Sequence, residues 1–203
     1  MTATTANIEL LADAPPAEPT RPRVLLAGTV LASGAAAMAI FALIGVYLEL
    51  RDQVVSAGDA WLPEGANIQL TPGTMGLVTL IMSADTAAWA VWALRRYDRN
   101  HALLALAVTE LLGVAFIVGT VFNWQQLGLG IGDSTQALLI YTITGAHVAM
   151  IGAGLLFMLV MGFRAVGGQL TGRAAEGLSA AVVYWYVTIA VYAVIWYGIY
   201  VTK

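Results

Sequence analysis

Residues 24–50, VLLAGTVLASGAAAMAIFALIGVYLEL, form the stretch that decides the fold, because no charged side chain occurs in it before Glu49. A helix that crosses the hydrocarbon core of a membrane needs about 20 consecutive, mainly apolar residues. Four more stretches meet that requirement, at residues 72–94, 102–124, 137–163 and 176–201. The sequence therefore predicts an all-α protein, an integral membrane bundle of five transmembrane helices.

The composition supports this fold class and excludes several kinds of function. The chain has 203 residues, of which 60% are hydrophobic and 10% charged, whereas a soluble domain usually carries about 25% charged residues. The absence of cysteine excludes disulfides, iron–sulfur clusters and thiolate metal sites. The net charge of −3 excludes the strongly basic surface that a nucleic-acid partner would require.

Positive charges are distributed unevenly between the two ends of the predicted helices. Seven arginines fall before the first helix, in the second loop or in the fourth loop: Arg21, Arg23, Arg95, Arg96, Arg99, Arg164 and Arg173. Only Arg51 and Lys203 fall on the other side. Because cytoplasmic loops carry an excess of Lys and Arg, we expect a cytoplasmic N-terminus and a C-terminus outside.

The first 22 residues differ in composition from the rest of the chain. Residues 1–20 are rich in Pro and Ala and contain no Lys or Arg, so they lack the basic start of a cleaved signal peptide. We predict a disordered cytoplasmic tail over residues 1–22, followed by one five-helix transmembrane domain over residues 23–203.

Two carboxyl groups lie at membrane depth, where ionisable side chains are costly and are therefore functional candidates. Asp85 lies ten residues before Arg95, and Glu110 lies nine residues after His101. At ~1.5 Å per residue, both lie about 15 Å from the cytoplasmic edge, on the two arms of one helical hairpin. Two acids that are close together in apolar surroundings do not both ionise. The pair is thus a candidate proton-holding site. The plainer alternative is two protonated acids that are bonded across helices or face a partner subunit.

His147 is the third ionisable residue at membrane depth, and it stands alone in the fourth helix. The other histidine, His101, lies at the cytoplasmic interface. A haem, copper or zinc site needs several ligands that converge on one point. One buried histidine cannot supply them, so we expect a structural histidine, no metal ligands and no cofactor-binding residues in this chain.

Two regular patterns predict packing within the bundle. Trp185, Tyr192 and Trp196 form one stripe on the fifth helix, which is more typical of packing than of a cofactor site. On the first helix, a row of small residues allows close helix contact, at Gly28, Ala32, Ala35 and Ala39.

Several short motifs, and their order along the chain, resemble the subunit III family of haem–copper (cytochrome c) oxidases in its five-helix form. The outer loop carries Trp61-Leu62-Pro63, similar to the family's Trp-Pro-Pro stretch. The third helix carries Leu112-Gly113-Val114-Ala115-Phe116, the family's Leu-Gly-x-x-Phe. The fourth carries Thr144-Gly145-Ala146-His147-Val148, and the fifth carries Tyr184-Trp185 and ends with Ile199-Tyr200. The similarity runs from about residue 24 to the end.

The polar residues of the family are mostly replaced in this chain. The glutamate of the first helix corresponds to Ala36, and the second histidine of the fourth-helix motif corresponds to Met150. The His and Asp of the last helix correspond to Tyr186 and Ile189. His147 is thus the one polar residue that matches, and Asp85 and Glu110 have no family counterpart.

The resemblance implies an accessory subunit that is not catalytic by itself. Such a subunit stabilises the catalytic subunit of an oxygen-reducing, proton-translocating oxidase and supports proton uptake during aerobic respiration. Haem and copper are then expected in partner subunits I and II, with phospholipid as a further ligand. The location implied is a bacterial cytoplasmic membrane.

Two alternatives remain open at this point. One is the similar accessory protein of a nitric oxide reductase. The other is a small proton-coupled transporter that uses the three ionisable residues as a relay, although the sequence has no inverted repeat or broken helix pair of the kind that transporters show.

Overall fold

A computed structural model describes residues 23–170 and 176–202 of the chain. These residues form five helices and no strands, and each of the five helices is long and apolar enough to cross a membrane. The predicted fold class is therefore confirmed. The predicted tail over residues 1–22 lies outside the described residues.

The five helices follow one another along the chain. We number them α1 (Val24–Ser56), α2 (Leu70–Arg95), α3 (Arg99–Gln126), α4 (Thr135–Val166) and α5 (Glu176–Ile195). The last helix continues into a π-helical segment, Trp196–Val201.

Helix α1 continues past the predicted end at Leu50 because helical backbone bonding does not stop where the apolar run stops. Its end is set by Gly58, whose φ of 90° is in the left-handed region that favours glycine. The Asp59 N–H donates to the Val54 carbonyl at 3.2 Å, and the Gly58 N–H donates to the Val55 carbonyl at 3.0 Å. These two bonds close the helix.

Helices α2 and α3 form an antiparallel hairpin with a tight turn. Asp98 caps α3, because its carboxylate accepts a hydrogen bond from the His101 N–H at 3.2 Å. Tyr97, just before it, adopts a φ of 61°. The turn thus fixes the two helices side by side along most of their length.

Helix α5 lies at the centre of the bundle, in contact with α1, α2 and α4. In its most apolar window, 56% of the residues are buried, compared with 28% in α1. The predicted contact row on α1 is wrong, since Gly28, Ala32, Ala35 and Ala39 are exposed. The buried face of α1 is offset by one position and includes Thr29, Ser33, Ala37 and Ile40.

Candidate functional site

The centre of the bundle is built around Trp185 of α5, which is fully buried. Its indole N–H donates to the Ser83 hydroxyl of α2 at 2.9 Å. Glycines on two other helices leave room for the ring. A Cβ on Gly154 of α4 would lie 2.8 Å from the ring, and one on Gly113 of α3 would lie 3.0 Å from it. Four helices therefore meet at this one side chain.

The aromatic stripe on α5 is joined to α2 by a series of hydrogen bonds. Besides Trp185, the Tyr192 hydroxyl donates to the Gly73 carbonyl at 3.0 Å, and the Trp196 N–H donates to the Thr74 hydroxyl at 3.1 Å. The sequence identified the stripe but not the helix that it faces. The signal that could have identified this helix lies in α2 itself. Its small polar residues Thr74 and Ser83 are spaced so that an antiparallel helix brings them opposite Trp196 and Trp185.

His147 of α4 is 1% exposed and bonded within the bundle. Its Nε2 donates to the Thr188 carbonyl of α5 at 3.0 Å; the carbonyl can only accept, so this nitrogen carries the hydrogen. The ring also lies against Phe116, with centroids 5.5 Å apart, and against Tyr192, at 5.2 Å. These contacts make His147 a link between α3, α4 and α5.

The two membrane-depth carboxyls are not brought together. The contact between their helices is made by their sequence neighbours, since the hydroxyls of Thr86 and Thr109 lie 2.7 Å apart. One residue along an α-helix turns the side chain by about 100°. Asp85 precedes Thr86, and Glu110 follows Thr109 on an antiparallel helix, so both side chains are rotated away from the contact in the same sense. Asp85 therefore lies on the face of the hairpin that is directed away from the bundle, and Glu110 lies on the face directed into it.

The surroundings of the two carboxyls differ accordingly. Asp85 is exposed, beside Trp89 and Trp92 on the same face of α2. Glu110 is half-buried, one helical turn from Gly113, and its Oε1 is enclosed. Neither carboxyl forms a hydrogen bond or ion pair with any other described residue. They do not form one buried site within the chain, so a proton-holding role stays a prediction for each carboxyl separately.

A cleft of about 250 Å³ lies between the first part of α2 and the last part of α3. Small residues from both helices form its walls, among them Gly76, Thr79, Gly119 and Thr120, and Phe116 and Tyr192 form part of its lining. Nothing in the sequence pattern predicted this cleft. Across residues 23–170 and 176–202, no three His, Asp or Glu side chains are grouped as metal ligands would be.

Comparison with known proteins identifies the same family along nearly the whole chain. A family model described as cytochrome c oxidase subunit III matches residues 29–203. A cytochrome c oxidase subunit 3 from Triticum aestivum is 32% identical over 149 residues, which cover 72% of this chain and 56% of that protein. A cytochrome c oxidase subunit 3 from Corynebacterium diphtheriae is 27% identical over 206 residues, covering 100% of this chain and 98% of that protein.

A third relative, a probable cytochrome c oxidase subunit 3 from Rickettsia conorii, is 29% identical over 124 residues. The match covers 60% of this chain and 44% of that protein. The chain therefore spans about half the length of several curated relatives that it matches, while it spans nearly all of the corynebacterial one.

Proposed function

The chain belongs to the cytochrome c oxidase subunit III family, and from this premise we propose that it is the accessory, non-redox subunit of a respiratory haem–copper oxidase. The observation that carries the proposal is the family match over residues 29–203, together with a bacterial relative of almost the same length. In this role the chain stabilises the catalytic subunit during aerobic electron transport.

The redox chemistry is assigned to partner chains, subunits I and II, which would hold the haem and copper. The donor set of this chain supports that assignment. It has no cysteine and two histidines. One of them, His147, uses its Nε2 on the Thr188 carbonyl. The other, His101, pairs through Nδ1 with the Asp98 carboxylate at 2.7 Å.

The location we propose is a bacterial cytoplasmic membrane, with the N-terminus in the cytoplasm. The five spanning helices alternate in direction, so Arg23, Arg95, Arg99 and Arg164 all lie at the same membrane surface. An excess of cations on that surface supports its assignment as the cytoplasmic one. The tail over residues 1–22 is proposed to lie on the same side.

A phospholipid chain is proposed as the occupant of the cleft between α2 and α3. The cleft is mainly apolar, and two of its lining residues, Met75 and Phe122, are 65% and 52% exposed on the membrane-facing surface. In a bilayer, such an opening is surrounded by acyl chains. Native mass spectrometry of the complex, with Gly119→Leu to fill the cleft, should show one bound lipid fewer than the unmodified complex.

A supporting role in proton uptake is proposed for the membrane-depth carboxyls. Glu110 is the better candidate, since it faces the inside of the bundle and its enclosed Oε1 has no protein partner among the described residues. The double variant Asp85→Asn with Glu110→Gln should reduce turnover of the intact complex progressively over many cycles. Unchanged turnover through the same number of cycles would remove this role.

The accessory-subunit proposal is tested by purifying the tagged chain from native membranes in mild detergent. The reduced-minus-oxidised spectrum of the co-purified material should show haem bands, and the sample should consume oxygen. A colourless protein without partners would overturn the proposal. The relatives described above are named as cytochrome c oxidase subunits, so they give no support to the nitric oxide reductase or transporter alternatives.

A further inference from the structure

One face of α2 combines an exposed acid with large apolar and aromatic side chains. Its residues follow one another at spacings of three and four, so they form a single stripe on the helix. We call this stripe the Asp85 face. Besides Asp85 it comprises Val78, Met82, Trp89 and Trp92, which are between 36% and 56% exposed.

Asp85 lies on this face about 15 Å from the cytoplasmic end of α2. It makes no hydrogen bond or ion pair within residues 23–170 and 176–202. Tyr186 of α5 lies nearby, but its hydroxyl donates to the Ala84 carbonyl at 3.5 Å rather than to the carboxyl. Lipid tails offer no hydrogen-bond donor at this depth, so a lipid-exposed Asp85 would be costly.

The other membrane-facing surfaces do not share this feature. Their large exposed residues are apolar, as with Leu31 and Met38 on α1, Leu111 and Val118 on α3, and Leu156 and Phe163 on α4. Within the described part of the chain, Asp85 is the one exposed carboxyl in the middle of a span. An apolar surface with a single unsatisfied acid is the complement of an apolar helix with a single donor.

The cytoplasmic end of the same face has a polar rim. The Arg96 guanidinium lies 4.2 Å from the centroid of the Trp92 ring. One turn into α3, the His101 ring lies 6.1 Å from the Trp89 ring. An aromatic and apolar centre with a charged edge is typical of a protein interface.

We propose that the Asp85 face is a docking surface for one membrane-spanning helix of a partner subunit, which places a hydrogen-bond donor opposite the Asp85 carboxyl. The proposal rests on the proposed function, because it requires a multi-subunit complex. A second copy of the chain fits less well. A two-fold contact on this face would bring two Asp85 carboxyls together instead of an acid and a donor.

The first test is photo-cross-linking in the intact complex in native membranes. A photoreactive phenylalanine analogue is placed at Met82, and, as a matched control on another exposed surface, at Leu111 of α3. The Met82 position should capture one defined polypeptide of the complex, identified by mass spectrometry, and the Leu111 position should not capture that polypeptide. Capture of lipid alone at Met82, or of a second copy of this chain, would overturn the proposal.

The second test changes the acid itself. Asp85→Leu should lower the amount of that polypeptide retained after purification by about fivefold, the effect of one interhelical polar contact. Asp85→Asn, which keeps acceptor capacity, should retain most of it. Equal retention in all three complexes would overturn the role of Asp85.

The two proposals fail in different ways. If the accessory-subunit function is wrong, no haem-containing subunit co-purifies with the unmodified chain. If only the docking surface is wrong, the haem-containing complex is recovered, while Met82 captures no polypeptide of it and Asp85→Leu leaves its composition unchanged.

Discussion

Trp185 and Asp85 lie at nearly the same depth, since Ser83, the hydrogen-bond partner of Trp185, is two residues from Asp85 on α2. The two neighbourhoods differ in whether their polar groups have partners. Around Trp185, the polar atoms that cross between helices have partners: the indole N–H on Ser83, and His147 on the Thr188 carbonyl. Asp85 and Glu110, on opposite faces of the hairpin, have none among the described residues. The paired groups hold the helices of this chain together, whereas the two carboxyls contribute no such bond among the described residues.

The largest expected change in stability comes from removing the side chain at the centre of the paired region. Trp185→Ala removes a fully buried ring that four helices enclose, so the free energy of unfolding should fall by about 3–5 kcal/mol. Unfolding of the detergent-purified chain by SDS titration measures it. The control is Trp92→Ala, whose ring is 53% exposed and should cost at most ~1 kcal/mol. Similar losses in both variants would contradict the central role of Trp185.

A smaller effect is expected from overfilling the same centre. Gly154→Ala places a methyl group 2.8 Å from the Trp185 ring, and overpacking of this kind costs about 1–3 kcal/mol. Gly152→Ala, two residues away on α4, meets nothing within 4 Å and should be neutral. The same unfolding measurement compares them, and equal stability of the two variants would show that the ring can move aside.

Removing an unpaired carboxyl should change the stability of the chain in the opposite direction. Glu110→Leu removes a carboxyl whose enclosed Oε1 has no partner among the described residues. Since such a group costs about 1–3 kcal/mol when buried, the isolated chain should become more stable by about 1 kcal/mol. Asp85→Leu should change the stability of the isolated chain less, because Asp85 is exposed. A destabilised Glu110→Leu chain would mean that the carboxyl has a structural partner after all.

His147 gives a further comparison, because it is ionisable and buried yet bonded through its Nε2 to another helix. His147→Leu should lower the free energy of unfolding by about 1 kcal/mol, the range of a polar contact between membrane helices. Turnover of the assembled complex should be unchanged once equal amounts of complex are compared. Lost turnover with normal stability would instead make His147 a proton carrier.

The smallest effect concerns the water-exposed turn of the hairpin. The hydrogen bond from the His101 backbone N–H lowers the pKa of Asp98 below its ordinary value. Asp98 therefore contributes stability above the unfolded-state pKa of about 3.9, and this contribution disappears as the pH falls through the lowered folded-state pKa. The unmodified chain should exceed Asp98→Ala in stability at neutral pH and converge with it at the lowest pH. Asp59→Ala, which removes no cap, should show no such convergence.

Sequence periodicity located some contacts and misplaced others. The stripe of Trp185, Tyr192 and Trp196 was visible because bulky aromatic residues at helical spacing are rare enough to stand out. The row of small residues on α1 was misleading, since small residues also occur on exposed helix faces. The motif on the third helix included Gly113, but only the structure shows that Gly113 and Gly154 leave room for the Trp185 ring.

The sequence by itself determined the membrane class, the five helices and the depths of the ionisable residues. These properties depend on apolar length and on the constant rise of a helix, both of which are local. The tertiary structure alone decided which way each side chain faces, because the rotation of a helix is set by packing against its neighbours. For that reason two acids at one depth became an exposed group and a half-buried one.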